Sequence, residues 1–346
     1  MRAWQCAAPG PMEKTLKLIA DAPRPSQEAL QKGELLVAVA RAGLNPADYK
    51  MLGLGVASRA LAQFPKTPGM DFSGRVVAVA EDVHDLRPGD AVLGRVLAGR
   101  KGGTLGEVVV VRRDACAAML EGVDWDEAAG MPTAGLTAYL TIAPHVAVAV
   151  AEAEAGAEPR VFINGGSGGV GLFGIQVAKA LGCRVTASCS TGKASLCRSV
   201  GADDIIDYKT TDVVAALKQE GQVYSLAVDN VGCAPADLHA ASHHFLRPGG
   251  PFVFVGGAVT CGSARSLARS VLLPAWLGGG KRRFVGFNVY NDQKALETVV
   301  GWMAEGKVRT VVDSVFEFAD VAKAYEKLRK GSSGGKIIVR VGDGKL

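Results

Sequence analysis

The sequence predicts an α/β protein: a β-rich region, then a doubly wound parallel sheet of nucleotide-binding type, then a short tail. Three observations predict it. From residue 160 to 287, short apolar runs alternate with glycine turns and helical stretches. Before residue 120, Val-rich runs are bounded by Gly, Pro and Asp, the composition of strands joined by tight turns. Between one apolar run and one helical stretch stands 164–171, NGGSGGVG.

The elements follow in order. Residues 34–42 (ELLVAVARA), 74–80 (GRVVAVA) and 106–111 (GEVVVV) read as antiparallel strands, with Arg87-Pro88-Gly89-Asp90 as a turn. Residues 126–150 are Ala-rich and helical in composition, with interruptions expected at Pro132 and Pro144. Six parallel strands are expected at 160–163, 184–188, 205–208, 225–229, 251–255 and 283–287. A helix at 318–330 and a strand at 336–341 (KIIVRV) close the chain. The tail has too little core to stand alone, so it is expected to pack back onto the first region.

Composition narrows the function. The 346 residues carry 39 Lys and Arg against 34 Asp and Glu, with no basic run of five, which argues against nucleic-acid and membrane-surface roles. No apolar run has the length of a membrane span and no leader is evident, so a cytoplasmic setting is expected. Seven cysteines, with no C-x-x-C pair, fit a reduced environment better than a disulfide framework or a zinc ribbon. The 44 glycines cluster at 164–171, 249–257 and 278–280, where backbone must turn sharply or approach something closely.

Within the first cluster, Gly166-Ser167-Gly168-Gly169-Val170-Gly171 fits G-x-G-x-x-G. Its strand-before, helix-after setting is what a dinucleotide site requires. One glycine permits the turn, one lets a pyrophosphate reach the backbone, and one lets helix pack on strand. The helix N-terminus then faces the anion. The same atoms fit G-x-S-x-G, a nucleophile elbow with Ser167, followed by Asp229 and by His239, His243 or His244. Against a hydrolase, no H-G-G-G segment lies upstream, and Gly171 is a pyrophosphate-site feature.

An NAD site usually places a carboxylate about 20 residues past the loop. Here Ser188-Cys189-Ser190-Thr191-Gly192-Lys193 has none. Hydroxyls from Ser190 and Thr191, the Lys193 ammonium and Tyr208 suit a 2′-phosphate instead, so NADPH is the expected cofactor. Lys193 also reads as an ordinary surface lysine.

Several segments then carry a family resemblance over nearly the whole length. They are Asn45-Pro46-Ala47-Asp48, PGMDFSG at 68–74, Arg87-Pro88-Gly89-Asp90, AGLTAY at 134–139, the glycine loop, and Gly335-Lys336. With them the chain resembles the medium-chain dehydrogenase/reductase superfamily. The resemblance implies a GroES-like β-rich substrate domain split around a Rossmann domain, with the active site between them. Its expected bounds are 1–122 for the first part, 123–288 for the Rossmann domain and 289–346 for the returning chain. Zinc alcohol dehydrogenases of that superfamily carry metal ligands at positions corresponding to Asn45, Met70 and Thr133, and a proton-relay hydroxyl at Ala47. None of these is a zinc-ligand type. The sequence is therefore similar to the zinc-free branch of quinone oxidoreductases, alkenal reductases and enoyl reductases. Its Asn-Pro-x-Asp-x-Lys form is similar to fungal trans-acting enoyl reductases that serve polyketide synthases. Gly53-Leu54-Gly55 lacks the tyrosine of mitochondrial enoyl-thioester reductases, which argues against that substrate.

Without a metal, reduction of a conjugated C=C is less demanding than reduction of a carbonyl, because charge spreads onto an enolate oxygen that hydrogen-bond donors can stabilise. Asn45, Tyr49 and Lys50 are the candidate catalytic donors. Asn45–Asp48 reads equally as a helix start, and Tyr49 and Lys50 as plain helix residues. Gly166, Ser167, Gly168, Gly169 and Val170 are expected on the pyrophosphate. The resemblance puts Thr137 behind the nicotinamide, and Asn230, Val255 and Gly256 end strands at the cofactor. The expected function is reduction of an unsaturated carbonyl, enoyl or quinone small molecule by a monomer or homodimer. The alternatives are a trans-acting enoyl reductase with a synthase or carrier-protein partner, a non-catalytic NADPH-binding protein, and a Ser167 hydrolase.

Overall fold

The structure is a computed structural model. It describes residues 1–97, 100–151 (backbone alone at 148–151), 158–232, 234–235, 237–256, 265, 268–269, 271–273, 277 and 279–344. Gly257 of the second glycine cluster and two of the seven cysteines, Cys233 and Cys261, lie outside the described residues.

Chain order begins β1 (Ala3–Cys6), α1 (Met12–Thr15), β2 (Leu16–Ile19), β3 (Glu34–Gly43), α2 (Pro46–Lys50) and β4 (Asp71–Val79). It continues β5 (Ala91–Arg95), β6 (Val108–Arg112), β7 (Cys116–Ala118), α3 (Trp125–Gly130) and α4 (Pro132–Ala151). Next come β8 (Arg160–Asn164), α5 (Gly169–Ala180), β9 (Arg184–Cys189), α6 (Ala194–Ser199), β10 (Asp204–Asp207), α7 (Val213–Glu220) and β11 (Tyr224–Asp229). The rest is α8 (Leu238–Ala241), β12 (Phe252–Phe254), β13 (Phe284–Gly286), α9 (Gln293–Ala304), β14 (Val312–Glu317), α10 (Val321–Lys330) and β15 (Lys336–Arg340). Two compact units result, Met1–Leu136 with Asn291–Leu346, and Thr137–Tyr290.

The first unit is built on β3, whose near-continuous apolar run is buried at every residue but Arg41. Alternation along a strand sends successive side chains to opposite faces. Leu35, Val37 and Val39 join the main core with Phe72, Val109, Tyr325 and Ile337, while Leu36 packs with Ala78 and Val108 on the other side. The sheet order is β14-β15-β3-β4-β5-β7, with β6 also on β3. The tail strand β15 runs antiparallel to β3, pairing Ile338 with Gly43 and Arg340 with Arg41. The sheet is not wholly antiparallel: β14 and β15 are parallel, joined through α10. A parallel pair needs such a crossover.

Pro132 does begin a new helix, as expected, but Pro144 does not interrupt it: α4 runs on to Ala151. A mid-helix proline costs about 3 kcal/mol. Burial of Leu136, Ala138, Leu140, Ile142 and Val146 along the same helix offsets that cost.

The second unit carries a six-stranded parallel sheet in the order β10-β9-β8-β11-β12-β13. Counted from β8 this is 3-2-1-4-5-6, the dinucleotide-binding order, with its switch point between β8 and β11. The rings of Phe162, Tyr224 and Phe245 meet edge-on in its core, at centroid separations of 6.0–6.2 Å. Helix α5 buries every residue from Gly171 to Ala178, more than the single apolar face its spacing suggests, as a helix laid on a parallel sheet requires.

Candidate active site

In the second unit the glycine loop joins β8 to α5. Gly165 has φ +78°, and a Cβ there would lie 2.7 Å from Val231 Cγ2. A Cβ on Gly171 would lie 2.2 Å from the Gly165 carbonyl oxygen, so this glycine is what lets the helix close on the loop. Gly168 differs. Its nearest neighbour would be 3.5 Å away, so its backbone stays open to an approaching group. The first-turn N–H groups of α5 have no intrahelical acceptors.

Side chains from three strand ends hold this loop. Ser188 accepts the Gly165 N–H at 3.0 Å and donates to Asn164 Oδ1 at 2.6 Å. Asn164 Nδ2 donates to Asp229 Oδ1 at 2.8 Å, and that carboxylate also takes the N–H groups of Val231 and Gly232. Burial raises the Asp229 carboxyl, against the pull of those donors. Sequence reasoning did not foresee the Asn164–Ser188–Asp229 chain; polar residues at consecutive strand ends were its only signal.

The other predicted cofactor residues lie along the same strand ends. Gly166 is buried and Ser167, Gly169 and Val170 are partly exposed along the loop. Asn230 donates through Nδ2 to the Asn164 carbonyl at 3.3 Å, while its Oδ1 is buried with no hydrogen-bond partner. The Val255 N–H donates to the Asp229 carbonyl, and Gly256 comes next with φ +95°. Ser190 precedes a turn at Thr191–Lys193, and the Tyr208 N–H donates to the Cys189 carbonyl at 3.1 Å, which brings Tyr208 beside that turn. Thr191 is already engaged, donating its hydroxyl to Asp207. Thr137 is buried in α4. The close-packed Gly166 and Gly171, the open Gly168 and the orphaned acceptor on Asn230 fit a dinucleotide. Of the hydrolase set, Asp229 is bound by Asn164 and backbone N–H groups, His239 Nε2 lies 3.2 Å from the Arg282 carbonyl oxygen, and His243 Nδ1 lies 3.0 Å from the Ala240 carbonyl oxygen.

In the first unit Asn45 ends the turn after β3, and Pro46 starts α2 with its fixed φ. Asp48 Oδ2 accepts the Asn45 N–H at 2.8 Å and the Tyr325 hydroxyl at 3.3 Å. Both ends of the Asn45 amide are engaged: Nδ2 donates to Asp71 Oδ2 at 2.8 Å, and Oδ1 accepts from Lys336 Nζ at 2.6 Å. Lys336 Nζ also reaches Asp71 Oδ2 at 3.3 Å. The other Asp71 oxygen takes the Thr133 N–H at 3.0 Å and the Thr133 hydroxyl, which in turn accepts from Arg95 Nε at 3.2 Å. Asp71 is 0% exposed and Lys336 and Asn45 are each 5% exposed, so the network is shut from bulk water. Both amide atoms of Asn45 are thus already engaged inside the first unit. Tyr49 is half-buried against the core, where desolvation raises its hydroxyl and Arg329 opposes that. Ala47 and Lys50 are exposed. Asp71, Lys336 and Tyr325 were not among the expected site residues. For Lys336, a charge at the buried start of the apolar strand KIIVR was the available sign.

Asn45 and Thr133, two positions where the resemblance puts metal ligands, thus meet on one carboxylate. The third, Met70, is buried beside it in sequence. An amide, a thioether and a hydroxyl do not make a zinc set, and among the described residues no cluster of three His, Cys, Asp or Glu could hold a metal. The donors present do not fit zinc.

Burial raises the Asp48 carboxyl from 3.8 to about 7, with Asp71 adding to the rise and the Asn45 N–H and Lys336 opposing it. The unfolded chain ionises Asp48 near 3.8. Between that value and about 7 the folded state therefore holds a proton that the unfolded state has lost, and stability falls as pH rises. The expected slope is about 1.4 kcal/mol per pH unit, levelling off above neutrality. Urea unfolding of Asp48→Asn across this range should lack that slope. An unchanged slope would contradict the assignment.

Comparison with known proteins agrees with this architecture. A family model for the alcohol dehydrogenase GroES-like domain matches residues 31–151, and one for zinc-binding dehydrogenases matches residues 200–339. The chain is 45% identical to the trans-enoyl reductase pgmF of Aspergillus terreus over 351 residues, covering 99% of this chain and 96% of that protein. It is 31% identical to the chloroplastic quinone-oxidoreductase QR1 of Triphysaria versicolor, covering 89% and 90%. Among solved structures, the quinone oxidoreductase from Coxiella burnetii superposes with a TM-score of 0.81 at 28% identity, covering 99% of each chain. Its segments, its two units and these relatives make the chain a member of the medium-chain dehydrogenase/reductase superfamily, nicotinamide-dependent oxidoreductases, on the quinone oxidoreductase and enoyl reductase branch.

Proposed function

We propose that the protein reduces activated C=C bonds of α,β-unsaturated carbonyl, enoyl or quinone substrates with NADPH. The observation that carries this reading is a dinucleotide loop in a chain whose metal positions hold Asn45, Met70 and Thr133, with Asn45 and Thr133 tied into a buried ion pair. When bound, the nicotinamide supplies a hydride. The pyrophosphate would rest on 166–170, where Gly168 leaves the backbone open. Ser190, Lys193 and Tyr208 would hold the 2′-phosphate, and Asn230 Oδ1 would accept a hydroxyl or amide hydrogen. Thr137, Val255 and Gly256 would line the nicotinamide half. Asn45 is a positioning residue here. Charge developing on the substrate oxygen needs a donor, and Lys50, exposed on α2, is the one that remains uncommitted to the core. Tyr49, packed inward, is the weaker candidate.

A second reading has the same chemistry on a carrier-bound enoyl group of a polyketide synthase. The likeness to pgmF favours it. No helix among the described residues is long and apolar enough to cross a membrane, and a cytoplasmic setting belongs to the proposal.

The test is nucleotide consumption against a panel of enones, enoyl thioesters and quinones, with NADPH and NADH compared. At least one substrate should be reduced, with NADPH preferred by about tenfold or more and Lys193→Ala removing most of that preference (about 1.4 kcal/mol). Lys50→Ala should lower turnover. A preference for NADH would overturn the phosphate site. Binding of NADPH without turnover would favour the non-catalytic reading, and labelling of Ser167 by a fluorophosphonate the hydrolase.

A further inference from the structure

We infer that Lys336 is a positioning residue for the reduction: its ammonium fixes the Asn45 amide, and through it the turn that presents α2. The inference rests on the function proposed above. It starts from a helix that cannot hold itself. Helix α2 has five residues, and isolated helices below about 12–15 residues are marginal in water. The Asn45–Asp48 cap and Pro46 shape its first turn, and bonds to the rest of the unit fix where that turn sits. The Leu44 N–H is held by the Ile337 carbonyl at 2.9 Å, and the Asn45 side chain by Asp71 and Lys336. Two of these three anchors come from β15, which supplies Lys336 as its first residue.

The distances separate positioning from simple charge balance. An ammonium that served only to neutralise Asp71 would make its short contact there. Instead Nζ lies 2.6 Å from Asn45 Oδ1 and 3.3 Å from Asp71 Oδ2. An ammonium donates and never accepts, so it admits only the amide oxygen and forces Nδ2 toward the carboxylate. The amide therefore has one orientation. Burial of Lys336, Asp71 and Asn45 keeps water from substituting for any of the three. Beyond Asn45 the chain runs through Pro46 and Ala47 to Lys50, on the exposed side of α2. A shift of about 1 Å in a group that meets the reacting atoms can lower a rate about a hundredfold.

Two variants test this. Asp71→Asn/Lys336→Met removes both buried charges together, which proteins tolerate far better than removal of one. Asn45→Ser keeps the ion pair and a helix cap but removes the amide. In both, NADPH affinity measured by fluorescence titration should stay within about twofold of wild type, while kcat for the best substrate falls about a hundredfold. Backbone amides at 44–51 should exchange hydrogen faster, with the rest of the first unit unchanged. Turnover within about threefold of wild type and unaltered exchange at 44–51 in whichever variant folds would overturn the inference, leaving Lys336 as a counter-ion only. If wild type consumes NADPH with no member of the panel, the proposed function falls, and the exchange at 44–51 still decides whether Lys336 orders the turn.

Discussion

Asp71→Ala is expected to remove about 3–5 kcal/mol of stability, the usual result of leaving a buried charge without its partner. The side chain is completely buried, and its two oxygens receive Asn45 Nδ2, Lys336 Nζ, and the Thr133 N–H and hydroxyl. Truncation leaves an ammonium at 5% exposure facing a void and strips three neutral donors of their acceptor. Domains have only about 5–15 kcal/mol in all, so the variant should unfold at much lower urea than wild type. Asp71→Asn should be milder, because it keeps an acceptor and fills the space. An unfolding free energy for Asp71→Ala within about 1 kcal/mol of wild type would show that the network is not a stability element.

Gly171→Val should abolish cofactor binding. Its Cβ would stand 2.2 Å from the Gly165 carbonyl oxygen and 2.8 Å from Gly166 Cα. Both are backbone atoms, so no side chain can swing aside, and the loop must part from the helix. An increase in Kd of at least about a hundredfold is expected, about 2.7 kcal/mol. Gly168→Ala gives the contrast. Its Cβ would have no neighbour nearer than 3.5 Å, so folding should be unaffected while affinity falls because a methyl meets the incoming pyrophosphate. Calorimetric titration of both variants with NADPH decides it. Wild-type affinity in Gly171→Val would disprove the packing role, and in Gly168→Ala the phosphate-facing one.

The parallel sheet was legible because its signals are local. Each strand is a short apolar run closed by glycine or a polar residue, and 164–171 lies between β8 and α5 as the motif demands. The start of α2 was equally legible from Asn45 and Pro46. Pro144 misleads because its penalty is local while the burial that outweighs it is not. Strand β14 was missed because its residues are only partly buried and alternate poorly (VDSVFE). The polar network of the first unit was invisible for a different reason. Lys336 meets Asp71 across 265 residues and Asn45 across 291, and no periodicity links such positions. The engagement of the Asn45 amide was hidden with it, since a residue's hydrogen-bond partners are supplied only by the fold.

The pairing of β15 with β3 has a consequence for biosynthesis. The second unit has every residue it needs once position 290 has left the ribosome, and domains commonly fold as units during translation. The first unit does not. Its sheet stays open along part of β3, and the Asp71 carboxylate lacks its ammonium partner, until Lys336 emerges. For β3, closing the sheet therefore waits on β15, made almost 300 residues later.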